Sequence, residues 1–224
     1  MKRFLITSML VLMAACGGTS VAINENVTPQ DVAAARSAHA ALYQEINGFS
    51  NTRNSAIPTS GSASFSGSVE IYAEERRGKE FYIVGDAGVV VQFAPIGEGR
   101  LNGQFDNFIV RENDELGNLH TYAIDGEIRV GDDFSVVGDR DGVDSNANFY
   151  SADYYGVLET REDTIVIDGE ISGGFEGNLI VPTTSGSTIR GFEGNDYSFP
   201  GSGTVTINGR EGYSELSYAV IADR

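Results

Sequence analysis

Three patterns of apolar and polar residues succeed one another along the chain. The first is an apolar run from Phe4 to Met13, behind Lys2 and Arg3 and ahead of small residues. It is too short to span a bilayer, and its order of positive, apolar and small is that of a secretory signal. The second is an alanine-rich stretch with a helical start. Thr28 stands as cap, Pro29 occupies the first helical position, and Asp31 lies three residues after the cap. This predicts one short helix, about Pro29 to Ile46, with Val32, Ala35, Leu42 and Ile46 near one face and Gly48 as its stop. From Gly48 to Gly61 the residues are mostly Asn, Ser, Thr, Pro and Gly, which is linker chemistry.

The third pattern has a period of two and fills the rest of the chain. Phe65, Gly67, Val69 and Ile71 alternate with Ser66, Ser68, Glu70 and Tyr72. The same alternation runs through Tyr122 to Val130, Ile165 to Gly173 and Leu216 to Val220. Such segments are strands with one buried and one wet face. Val89 to Phe93, Leu101 to Val110, Tyr150 to Leu158 and Thr204 to Asn208 add more, giving eight or nine strands between turns rich in Gly, Asp and Asn. Glycine recurs inside the strands, at Gly67, Gly103, Gly126, Gly156 and Gly169. It weakens a strand unless the sheet bends or a neighbour comes close, and a small barrel requires both. The expected fold is all-β: an antiparallel up-and-down β-barrel of about eight strands, occupying residues 62–224. Residues 1–15 would be the signal peptide, and residues 16–61 a leash carrying the helix and the linker.

The only cysteine, Cys16, follows Met13-Ala14-Ala15 and precedes Gly17. This stretch resembles the lipobox of bacterial lipoproteins, which implies cleavage before Cys16 and lipidation of its thiol. Gly17 in the next position implies forwarding to the outer membrane. The whole chain carries a net charge of −17; loss of Lys2 and Arg3 would leave 13 basic against 32 acidic residues, or −19. Such a surface repels nucleic acid and attracts cations and basic proteins.

Further along, Pro58-Thr59-Ser60-Gly61-Ser62-Ala63-Ser64-Phe65-Ser66-Gly67 opens the β region, and Val91-Gln92-Phe93-Ala94 leads into Leu101-Asn102-Gly103-Gln104-Phe105-Asp106-Asn107-Phe108. Later comes Ile167-Asp168-Gly169-Glu170-Ile171-Ser172-Gly173-Gly174-Phe175-Glu176-Gly177. This order resembles the barrel domain of transferrin-binding-protein-B-like surface lipoproteins, over about residues 58 to 195. The resemblance implies a barrel on a lipid leash, displayed outward more readily than into the periplasm, that binds a host protein or an iron-related ligand. It does not bring transferrin itself, because the chain has the length of a single barrel.

Candidate chemistry is sparse. Asp139, Asp141, Asp144 and Asn146 surround Gly142 and offer oxygen ligands for calcium, although Val143 breaks the EF-hand spacing; a solvated hairpin loop accounts for them equally. Tyr150, Tyr154 and Tyr155 are either a recognition surface or aromatic filling for the barrel. His39 and His120 are too far apart in sequence for a metal pair. No Gly-x-Ser-x-Gly, His-Glu-x-x-His or phosphate loop occurs, and no catalytic residue is nominated. The expected activity is therefore non-catalytic binding. A calcium-dependent envelope protein and a lipocalin-like carrier of small apolar ligands stand as alternatives.

Overall fold

The computed structural model describes residues 26–75, 78–95, 97–138, 148–177, 191–197 and 203–222. Helix α1 (Pro29–Asn47) opens with a reciprocal cap: the Asp31 amide donates to Thr28 Oγ1, and the Thr28 amide donates to Asp31 Oδ2. A single 3-10 turn (Asn54–Ala56) interrupts the linker. Eleven strand segments follow: β1 (Ser62–Glu75), β2 (Glu80–Gln92), β3 (Arg100–Asn113), β4 (Leu119–Ile124), β5 (Gly126–Val137), β6 (Tyr150–Glu159), β7 (Thr164–Gly173), β8 (Phe175–Glu176), β9 (Gly191–Tyr197), β10 (Gly203–Ile207) and β11 (Arg210–Ala222).

These segments form the eight staves of a closed antiparallel barrel. β4 and β5 are one stave broken at Asp125, and β7 and β8 are one stave broken at Gly174. β9 and β10 lie end to end between β7 and β11. The chain then returns to its start: β11 pairs with β1 in an unbroken register from Phe65 opposite Ala222 to Glu75 opposite Gly212. Closure leaves neither the first nor the last strand with a free edge.

Parity decides which side chains fill the interior. Phe65, Val69 and Ile71 face in, as do Ile128 and Val130, Ile165 and Ile167, and Leu216 and Tyr218, all buried. In β3 the parity flips. Phe105 and Phe108 are both buried because the register against β2 slips between Val84 and Asp86, with Asn107 at φ 54°. A bulge of this kind inserts a residue and bends the strand. Rings from opposite walls meet in the middle: Phe105 lies 5.5 Å from Tyr218, and Tyr150 lies 6.5 Å from Tyr218. The barrel is filled by its own side chains.

Helix α1 crosses the outside of this barrel. Val32, His39 and Ile46, seven residues apart, form its buried stripe. At its start the Val27 carbonyl accepts from Thr121 Oγ1 on β4, 2.7 Å away. Midway, Arg36 reaches Glu70 on β1 at 2.7 Å and sits 4.9 Å above the Tyr82 ring on β2, which Arg111 flanks at 5.2 Å. His39 lies over the join between β1 and β11, with Nδ1 2.9 Å from Ser68 Oγ and Nε2 3.1 Å from Ser217 Oγ. The helix is thus a strap laid over the closing seam.

The seam also explains one glycine. A Cβ on Gly67 would stand 2.0 Å from the Ala219 carbonyl oxygen, so no side chain fits between these two strands. Gly67→Ala is expected to destabilise the protein by about 1–3 kcal/mol, the usual cost of overpacking a tight contact. Urea denaturation measures it, and a midpoint equal to that of the parent would contradict the close approach.

Candidate functional site

The two ends of the barrel differ in chemistry. At one end lie the short turns between β1 and β2, β3 and β4, β6 and β7, and β10 and β11. There charged residues enter the interior in phase with apolar ones. Lys79 is buried and pairs with Glu112 Oε1 at 2.9 Å and with Asp163 Oδ2. Tyr122 Oη donates to the other oxygen of Glu112, and Asn208 Nδ2 donates to Asp163 Oδ1 at 2.7 Å. Buried Glu75 pairs with Arg210 at 3.0 Å. Burial opposes the charge on Lys79, but bonds to Asp163 and Glu112 outweigh it and hold its pKa above the ordinary lysine value. Burial and the adjacent Glu112 push the Tyr122 hydroxyl far up, so it remains a donor. Lys79, Glu112, Asp163 and Glu75 each have a partner of opposite charge, and the cluster closes this end as an ionic plug.

The opposite end is capped by the linker. The Thr52 amide donates to the Phe175 carbonyl at 2.9 Å, and the Gly177 amide to the Ser50 carbonyl at 2.7 Å, so residues 50–52 extend the sheet beside β8. Thr52 Oγ1 donates to the Gly177 carbonyl at 2.6 Å, and Asn148 accepts from the Phe175 amide while its own amide donates to Asn54 Oδ1 at 3.1 Å. These bonds fix the walls of an open groove of about 890 Å³, lined by Arg53, Ser55, Phe149, Ser172 and Glu176 among others. Burial raises the Glu176 pKa above the ordinary carboxylate value. The groove is polar and mixed in charge, suited to contacting another polar surface.

A third surface lies on the outer wall where β5 bulges. Between Val130 and Ser135 the register against β6 slips, with Gly131 at φ 78°. The Asp153 carboxylate accepts from the Asp133 and Phe134 amides at 3.2 and 3.0 Å and so holds the bulge in place. Beside it Tyr155 stands 54% exposed, with Glu127, Arg129 and Asp132 around an open groove of about 440 Å³. Arg129 is bound at both sides, 2.6 Å from Glu127 and 3.7 Å from Asp132.

The sequence-derived candidates are dispersed by this arrangement. Tyr150 and Tyr154 are buried in the core, the Tyr150 ring tilted against Phe175 with centroids 5.6 Å apart, and only Tyr155 of the three is presented to solvent. The physical reason is parity: residues 150 and 154 share the inward face, and residue 155 takes the other. Asp139, Asp141, Asp144 and Asn146 lie outside the described residues, as does Cys16. Among the described residues, no group of three His, Cys, Asp or Glu is placed to hold a metal ion. His120 approaches Asp114 at 3.5 Å, and His39 serves the helix strap. The fold and these surfaces define a packed, closed β-barrel with an externally strapped helix. Comparison with protein-family models, with curated proteins and with solved structures finds no match to this chain.

Two expectations follow. Lys79→Met leaves Glu112 and Asp163 buried without their cation, and the expected loss is about 3–5 kcal/mol. Urea denaturation measures it, and a midpoint equal to that of the parent would show the plug to be unimportant. For His39, burial lowers the folded-state pKa, the nearby Glu70 opposing and Arg36 assisting. The unfolded chain then binds the proton first, so stability is complete above the ordinary histidine value of about 6.5 and declines as pH falls below it. Replacing His39 by Gln should flatten that portion of the thermal-stability profile.

Proposed function

We propose that this protein is an outer-membrane-anchored lipoprotein whose barrel is a non-catalytic binding module, meeting a protein or iron-related ligand from outside at its linker-capped end. The observation that carries the reading is the packed interior. Phe65, Phe105, Phe108, Tyr150 and Tyr218 occupy the space that a lipocalin-like carrier keeps for its ligand. Recognition then belongs to the exterior, where Arg53, Phe149 and Glu176 border a groove whose walls are fixed by backbone hydrogen bonds. Fixed walls favour binding, because little order has to be created when the partner arrives.

Anchoring is the other half of the reading and rests on Met13-Ala14-Ala15-Cys16-Gly17. Among the described residues no helix is long and apolar enough to cross a membrane. An acylated cysteine supplies attachment without one, at roughly 0.8 kcal/mol for each buried methylene. Outward display follows from the family resemblance of the β region.

A non-permeant protease added to intact cells tests the display. The expected result is loss of the barrel from intact cells as readily as from lysed ones. Survival on intact cells with loss in lysates would move the module to the periplasm. A Cys16→Ser variant released from the membrane fraction would establish the anchor separately.

A further inference from the structure

We propose that the plugged end of the barrel faces the membrane and that Leu116, on the turn between β3 and β4, and Leu119, at the start of β4, rest in its headgroup region. The proposal rests on the anchored reading above and adds an orientation and a contact surface to it.

Leu116 is 87% exposed and Leu119 is 45% exposed; with Tyr213, 41% exposed near the start of β11 at the same end of the barrel, they account for three of the five large apolar side chains that stand in solvent among the described residues. The two leucines are held outward by a stiff turn. Asp114 Oδ1 accepts from the amides of Leu116 and Asn118 at 2.9 and 2.7 Å, Asn118 Nδ2 donates to Asp114 Oδ2 at 2.8 Å, and Gly117 turns the corner at φ 80°. Those bonds hold the Asp114 carboxyl at a pKa of about 2, so the turn keeps its form at any physiological pH. A rigid tip gives up little freedom when it enters an interface.

The place where the chain joins the barrel selects the same end. Val27 is bonded to Thr121, two residues beyond Leu119 on β4. Cys16 precedes Thr28 by twelve residues, and a fully extended chain of that length reaches about 40 Å at most. The tether alone permits many orientations; it brings the leucine turn to the bilayer with the shortest reach. Glu115 and Glu162 border the turn and favour an uncharged lipid surface over an anionic one. The groove at residues 51–55 and 172–176 then points away from the membrane, toward arriving partners.

The chain has no tryptophan, so a single introduced one reports its own depth. Leu119→Trp and Glu98→Trp, the latter in the β2–β3 turn at the opposite end, would be prepared as the lipidated protein. Each would be placed in phosphatidylcholine vesicles containing brominated phosphatidylcholine. The expected result is quenching of the Trp at 119 at least about threefold stronger than at 98, as for a side chain held at an interface. Adding Leu116→Ser to the Leu119→Trp protein should reduce that quenching, and so should replacing part of the lipid by phosphatidylglycerol. Equal quenching at the two ends, or no change with Leu116→Ser, overturns the orientation. Failure of the protein to float with vesicles defeats the anchored reading instead. Coupling Cys16 to a maleimide phospholipid then restores the tether, and the same two tryptophans decide the orientation.

Discussion

The backbone ladder between β1 and β11 is the contact on which the rest of the molecule depends. It joins the first and last staves, from Phe65 opposite Ala222 to Glu75 opposite Gly212, and turns a curled sheet into a vessel with an inside. Only a closed sheet can pack Phe105 against Tyr218 and Tyr150 against Tyr218, because these rings belong to walls that meet across the lumen. Gly67 permits the approach, since the Ala219 carbonyl oxygen stands too close to leave room for a Cβ there. Helix α1 then lies over the join, with His39 touching one serine on each side of it. A neutral imidazole suits that position: one ring nitrogen donates, the other accepts, and serine hydroxyls rotate to answer either role.

Most of the architecture was legible because period two is a strong signal. The alternation Tyr122, Ile124, Gly126, Ile128, Val130 continues inward across the break at Asp125, and the capping residues Thr28, Pro29 and Asp31 stand where the helix begins. What escaped were the places where parity slips or polarity inverts. Asn107 adds a residue to β3 that alternation alone does not register, although an Asp-Asn pair between Phe105 and Phe108 is a local cue to it. From the sequence pattern the second strand starts at Val89, whereas β2 begins at Glu80: consecutive buried residues Ile83, Val84 and Gly85 blur the alternation of its first part.

The ionic plug was hidden for a different reason. Lys79 is in phase with Phe81 and Ile83, Glu112 with Phe108 and Val110, and Glu75 with Ile71 and Ala73. A charge at a strand end is ordinarily assigned to water, and only three-dimensional proximity reveals that opposite signs converge. The tyrosines teach the reverse. Tyr150 and Tyr154 differ from Tyr155 in parity, so the sequence already contained the rule that separates filling from surface. The groove at the linker end was not legible at all: Asn51, Arg53 and Glu176 come together only because residues 50–52 dock on β8.

The seam also fixes when the molecule becomes safe. Its two strands lie about 150 residues apart, so the pairing that protects both is the one with the largest loop to close. Until β11 arrives, β1 and its growing neighbours present an unpaired edge with apolar residues on one face, a template for joining other chains. A protein built this way needs its nascent form kept apart from its neighbours for as long as the last stave is missing. Its tendency to aggregate should therefore be governed by the final dozen residues of the barrel more than by any equal length elsewhere.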